Sequence, residues 1–251
     1  MSTYASFQGR VYLAERDIAG NPINARTPGN VAELKLALKT DVLEHYESTT
    51  GQRALDHRMV KQKSATVNLT IEEFTKENLS LALYGNVAAI SSGSVVTETI
   101  STTAPTLGDR YFLAHSKVSA VVVTDSTGTP ATLVAGTNYT LDADFGAITF
   151  LNVTSFTAPI KVAYSFGAVT DVGIFTQPLP ERMLRLEGIN TAAGNAKVLV
   201  ELYRVAFDPL KELSLITDAL NKFDLEGSLL ADSTKAYDAT LGQFGRITLI
   251  G

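Results

Sequence analysis

Chemistry-bearing side chains gather in one stretch, where His45 and His57 stand within a few residues of Glu44, Glu47 and Asp56. Imidazole beside carboxylate is the donor set of a zinc or general-base site. Zinc sites space their ligands in patterns such as H-E-x-x-H, however, and none occurs here. The two histidines therefore read as solvated or interfacial. His115-Ser116 pairs a base with a hydroxyl but lacks the G-x-S-x-G elbow that exposes a hydrolase nucleophile. Asp142-Ala-Asp144-Phe-Gly146 begins like a calcium loop, yet Val153 occupies the place of the closing bidentate Glu, which leaves an acidic β-turn. Gly242-Gln-Phe-Gly245 is too short to cradle phosphate, and no dinucleotide or P-loop fingerprint occurs. The chain has no Cys, which removes thiol nucleophiles, thiolate metal sites and disulfides. These residues lead us to expect no catalytic centre, no metal and no cofactor.

Composition narrows the class further. With 251 residues, 45% hydrophobic and 19% charged, the chain can build one large or two small β-rich domains. A net charge of -5 argues against a surface that grips DNA, since phosphate binding relies on clustered Lys and Arg. The start of the sequence lacks a basic segment followed by an apolar run, and no apolar stretch has the length of a spanning helix. The expectation is a protein made in the cytoplasm, with no membrane partner.

The elements that would position these residues begin with an alternating strand from Glu33. In a second strand, Ala65, Val67, Leu69 and Ile71 share one face while Thr66, Asn68 and Thr70 share the other, the period of a half-buried sheet. Thr70 and Glu73 have capping-box spacing, so a helix of about three turns is expected over Glu72 to Tyr84, with Gly85 in the left-handed conformation that ends it. Between the strands, His45 to Lys63 carries Tyr46, Glu47, Arg53, Asp56, His57, Arg58 and Lys61 around Gly51 with little regular apolar patterning. It reads either as a long loop that orders on a partner surface or as a solvated hairpin extension.

From Ser91 to Thr176 charge thins out and short β runs recur: Val95 to Ile100, Arg110 to Leu113, Val118 to Thr124, Tyr139 to Leu141, Ala147 to Leu151 and Ile160 to Phe166. A hairpin turn is expected at Ala143 to Gly146, and this spacing suits a small β-sandwich. Beyond it, Lys197 to Phe207 is apolar on most of both faces, as a central strand should be. Leu213, Ile216 and Leu220 suggest a short helix over Leu210 to Asn221, and Phe223, Leu225, Gly227 and Leu229 alternate with Asp224, Glu226 and Ser228. The simplest organisation is discontinuous, with 1–90 and 177–251 as one domain and 91–176 inserted into it.

The order strand, long charged segment, strand and short helix over Glu33 to Gly85 resembles the tail tube proteins of long-tailed bacteriophages, a likeness covering the outer two segments. That resemblance implies a mainly β fold, a tail-tube-type β-sandwich or partial barrel with a flanking helix, here with an inserted Ig-like β-sandwich. It also implies a virion structural protein rather than an enzyme: the major tail tube subunit, in stacked hexameric rings. Its partners would be further copies of itself, the tape measure protein, the tail terminator and tail-tip proteins, with DNA passing without specific binding. Under this reading His45 to Lys63 bridges subunits or rings. Thr66, Asn68, Thr70, Asp224, Glu226 and Ser228 line the lumen, and the bulk of the insertion favours a non-contractile tail. The alternative is a tail-tip or surface β-rich module recognising carbohydrate or a cell-surface partner. The absence of Trp and the alternating positions of most Tyr and Phe argue against it.

Overall fold

The computed structural model describes residues 4–152, 155–237 and 240–250. Val153, the closing position of the calcium-like loop, lies outside them. In chain order the elements are β1 (Phe7–Arg16), β2 (Pro22–Arg26), β3 (Val31–Tyr46), β4 (Leu55–Ile71) and α1 (Lys76–Leu83). Next come β5 (Val87–Ile90), β6 (Gly93–Ser101), β7 (Arg110–Phe112), β8 (Val118–Thr124), β9 (Thr132–Leu133), β10 (Tyr139–Asp142), β11 (Ala147–Phe150), β12 (Ile160–Phe166) and β13 (Val169–Val172). The remainder supplies β14 (Glu181–Asn190), β15 (Ala196–Phe207), β16 (Phe223–Leu229) and β17 (Gly245–Ile250). The protein is mainly β, with antiparallel sheets and, among the described residues, one α-helix. No helix of the described residues is long and apolar enough to cross a membrane.

Two compact units emerge, Met1–Val87 with Val172–Gly251, and Ala88–Asp171. The first holds an eight-stranded sheet in the order β2-β1-β14-β15-β16-β4-β3, with β17 as a further partner of β15. One edge of β15 is shared: Lys197 to Leu202 pair with β17, and Val205 to Phe207 pair with β16. Its other edge pairs with β14, so the strand that is apolar on both faces lies centrally. Val11 and Leu13 on β1 share a core with Val67 and Leu69 on β4, although the two strands stand on opposite wings of the sheet. The sheet therefore curls over on itself. Val67, Leu69, Ile71, Leu184, Phe207, Phe223 and Leu225 are buried in the fold, each worth roughly 1.5–3 kcal/mol.

Local expectations around α1 need correction. The Thr70–Glu73 capping box does not form, because β4 continues to Ile71, which pairs with both Val31 and Phe223. Pairing on both sides outweighs one local cap. Thr75 is the N-cap instead, accepting from the Asn78 N–H, and the helix is eight residues long. Phe74 lies before the helix and stacks on Phe223 at 5.2 Å between ring centres. Tyr84, not Gly85, adopts the left-handed conformation (φ 52°). Gly85 is required for another reason: a Cβ there would stand 1.8 Å from the Gly173 carbonyl oxygen.

The helix expected over Leu210 to Asn221 is also absent, since residues 208–222 contain neither helix nor strand. Leu210 and Leu213 pack on the core, and the Leu210 N–H donates to the Ala82 carbonyl at 2.8 Å. This anchor and the short span to β16 hold the segment open.

In the second unit a four-stranded sheet, β6-β12-β8-β9, and a three-stranded sheet, β10-β11-β7, share one core. Val123, Ile160 and Val162 from the first meet Tyr139, Ile148 and Phe150 from the second. The turn expected at Ala143 to Gly146 joins β10 to β11, with Asp142 opposite Ala147. β5 and β13 pair as a separate two-stranded ribbon.

Candidate functional site

Most of His45 to Lys63 is strand, so of the two readings, a long loop or a hairpin extension, the structure shows the hairpin, built as a projecting arm. β3 runs out to Tyr46, β4 returns from Leu55, and the turn spans only 47–54. Ladder pairs Val42–Val60, Leu43–Met59, Glu44–Arg58, His45–His57 and Tyr46–Leu55 build it. Lys61 and Asp56 are left over as bulged residues, and each bulge shifts the period of two, which is why the sequence reads as irregular. At about 3.3 Å per residue, Lys39 to Tyr46 carries the arm roughly 25 Å past Ala65, the last buried residue of β4 before the arm.

Contacts along the arm are local. His45 Nδ1 lies 2.6 Å from Asp56 Oδ1, a hydrogen bond that holds the Asp56 carboxyl below its usual value. Glu44 accepts from the Tyr46 hydroxyl at 3.2 Å and faces Arg58 Nε at 3.3 Å. At the tip, Glu47 accepts from the hydroxyl and N–H of Thr50 and then from those of Thr49, which pushes its carboxyl down to about 2. Arg53, with a left-handed backbone (φ 49°), sits in the same turn. Leu43, Tyr46, Leu55, Met59 and Val60 are each about half exposed. A two-stranded hairpin is at best marginal in water alone, and this one shows apolar side chains with no core beneath them.

The six polar residues predicted to share a surface do so. Asp224 pairs with Thr70, Glu226 with Asn68, and Ser228 with Thr66 across β16 and β4. The Thr70 hydroxyl donates to Asp224 Oδ1 at 2.6 Å. Glu33 and Lys35 of β3 extend this face, and they pair at 2.7 Å. Residues 209–212 edge it, with Lys211 against Glu226, and together they enclose an open depression of about 510 Å³. Asp224 and Ser228 are exposed, while Glu226, Thr66, Asn68 and Thr70 are half-buried.

Two charged groups were not foreseen. On the outward face of the other wing, Arg185, Glu201 and Arg246 form a row across β14, β15 and β17, with the buried Glu201 between two guanidinium groups at 3.2 and 2.5 Å. Arg10, Lys197 and Glu187, the last bound to Arg185 at 2.8 Å, add to it, which leaves this face net basic where the β16-β4-β3 face is net acidic. At one end of the sheet, Arg16, Asp232, Glu181 and Arg204 form an ionic cluster. Neither group has a short-range motif, because each assembles from strands distant in sequence.

Among the described residues, no group of three or more His, Asp or Glu is poised to hold a metal. His115 stacks on Phe166 at 3.7 Å and places Nδ1 3.0 Å from the Tyr164 hydroxyl, which in turn donates to Glu98. Asp142 is paired with Arg110 at 3.0 Å. In the same unit Phe112 and Phe145 are 70% and 75% exposed, against the expectation that aromatic residues here fill the core.

Fold and surfaces define a β-rich chain with open strand edges and a projecting arm. The chain belongs to the family described as protein of unknown function UCP028589, whose model matches residues 4–248. Among curated proteins, none matches it.

Proposed function

We propose that this protein is the major tail tube subunit of a long-tailed bacteriophage, a virion structural protein that assembles into stacked rings around a DNA channel. The observation that carries this reading is the β3–β4 arm, which leaves the core with apolar residues exposed and open ladder edges. Among the described residues, β2 and β3 end the sheet and β17 has a partner on one side only, so several strand edges await pairing. Joining edges around a closed ring gives each one a partner.

In this account the acidic face of Asp224, Glu226 and Ser228 with Thr66, Asn68 and Thr70 lines the lumen, where like charge keeps DNA off the wall. The Ala88–Asp171 unit is displayed outside as an Ig-like domain. Sedimentation velocity tests the assembly: large polymers at high protein concentration support it, and a monomer at every salt and concentration overturns it.

A second reading draws on the exposed Phe112 and Phe145. Arg110 stands over the Phe112 ring at 5.8 Å and pairs with Asp142, a combination of stacking surface and hydrogen-bonding charge that suits a saccharide. A binding module of this kind would bind glycans as a monomer, and Phe112→Ala would abolish that binding.

A further inference from the structure

The segment between β15 and β16 is at odds with its own sequence. Leu213, Ile216 and Leu220 repeat at the spacing of a helical stripe, yet residues 208–222 hold no helix. Leu215, Ile216 and Leu220 are 79%, 99% and 89% exposed. The ends are pinned: Leu210 to Ala82, Lys211 to Glu226, and Lys222 to Glu72 at 3.1 Å. Between them, Glu212 and Asp218 have no ion-pair partner among the described residues.

The same unit carries a complementary surface along the inward side of β3. Leu34, Leu36 and Leu38 alternate toward the interior, but Leu36 and Leu38 remain 39% and 77% exposed because the opposite wing does not close over them. Two hollows follow this line. One, of about 550 Å³, is walled by Leu34, Leu36, Val200 and Ile247; the other, of about 210 Å³, by Leu38, Ala65, Leu229 and Phe244. Lys63, on the same side of β4 as Ala65, stands on the rim of the second, without an ion pair among the described residues.

We propose that residues 213–221 of one copy dock into this trough on a second copy, with Ile216 and Leu220 on the aliphatic floor and Asp218 against Lys63. Unpaired acid on one side meets unpaired base on the other, which fixes register as well as attraction. The helical stripe gives the segment a conformation to adopt once its apolar side is covered. A second copy is the occupant because both halves of the contact, apolar and charged, are carried by one chain. The inference rests on the assembly reading and names the residues of one of its contacts.

The chain has no Cys, so single introduced cysteines report specific contacts. Ile216→Cys protein is mixed with Leu36→Cys protein and oxidised, with Ile18→Cys, fully exposed elsewhere, as control partner. Docking predicts a disulfide-linked dimer of the first pair several-fold above the control. Sedimentation of the reduced mixtures reports assembly independently. Polymers without the excess cross-link overturn the docking and leave the tube reading standing. The cross-link without polymers supports the docking and overturns the tube reading, and the absence of both overturns both. An intramolecular disulfide in dilute Ile216→Cys/Leu36→Cys protein would mean that the segment fills its own trough, which also overturns the proposal.

Discussion

Arg16, at the end of β1, and Asp232, in the loop after β16, form an ion pair at 2.7 Å with side chains only 10% and 2% exposed. Glu181 lies 3.7 Å from the same guanidinium and is itself bound by Arg204 at 2.7 Å, so two acids balance two bases. Burial pushes the Asp232 carboxyl up, but the Thr234 hydroxyl and N–H, with Arg16, more than reverse this and hold it below its usual value. Asp232→Ala should cost about 3 kcal/mol in urea unfolding, because it leaves the buried guanidinium, whose Nε already lacks an acceptor, with only the more distant Glu181 as counter-charge. Arg16→Met/Asp232→Leu should recover most of that loss. A carboxylate with a lowered folded pKa stabilises above its unfolded value and loses that effect as pH falls through the folded one. The difference between wild type and Asp232→Ala should therefore shrink below about pH 4. A difference constant with pH would mean that the pair contributes by packing alone.

Glu47 organises the tip of the arm through four hydrogen bonds from Thr49 and Thr50. With its carboxyl held at about 2, the turn should stay ordered well below the ordinary carboxylate range and loosen only near that value. Amide exchange at 49–54 should quicken in Glu47→Gln at neutral pH, with global unfolding unchanged. Unaltered exchange at Thr49 and Thr50 would contradict this.

The two units own separate cores, and the Gly173 N–H donates to the Asn86 carbonyl at 3.0 Å where the chain leaves and re-enters the larger unit. Replacing residues 88–171 with a short Gly-Ser linker should leave that unit cooperatively folded, because the gap to close is one backbone hydrogen bond wide. Calorimetry should show a single sharp transition. An insoluble or molten product would mean that the smaller unit supports the core of the larger.

Asp224 and Ser228 are exposed on the acidic face and can be changed without disturbing the Lys211–Glu226 pair. Asp224→Lys/Ser228→Lys should keep assembly but confer salt-dependent DNA retention on the particles, since roughly two added lysines per subunit recur around every ring. Assembled variant particles that ignore DNA at low salt would place this face outside the channel.

Much of this architecture can be read in the sequence wherever one face of a strand is buried. Ala65, Val67, Leu69 and Ile71 alternate cleanly because Phe223, Leu225 and Leu229 lie over the same core, and Ile160 to Phe166 is found to the residue for the same reason. Where burial is absent, the pattern fades. The arm has water on both faces and two bulges, so its ladder leaves no periodic trace. The stripe at Leu213 to Leu220 is genuine helical periodicity, but beyond Leu213, which packs on the core, no local surface rewards it, and helices depend on that reward more than on propensity. β1, β2 and β17 leave little regular alternation in the sequence, because half-exposed and edge strands carry mixed patterns. The ionic clusters of Arg16 and Glu201 depend on a register that a single sequence does not reveal.

That the projecting arm drives self-assembly into a tube is tested most directly by negative-stain imaging of the full chain beside a variant in which residues 42–61 are replaced by an Asn-Gly turn between the paired Asp41 and Gln62. Rings or tubes of uniform diameter with a central channel are expected for the full chain, and folded single particles for the shortened one. Dispersed monomers from the full chain, or tubes undiminished by loss of the arm, would contradict it.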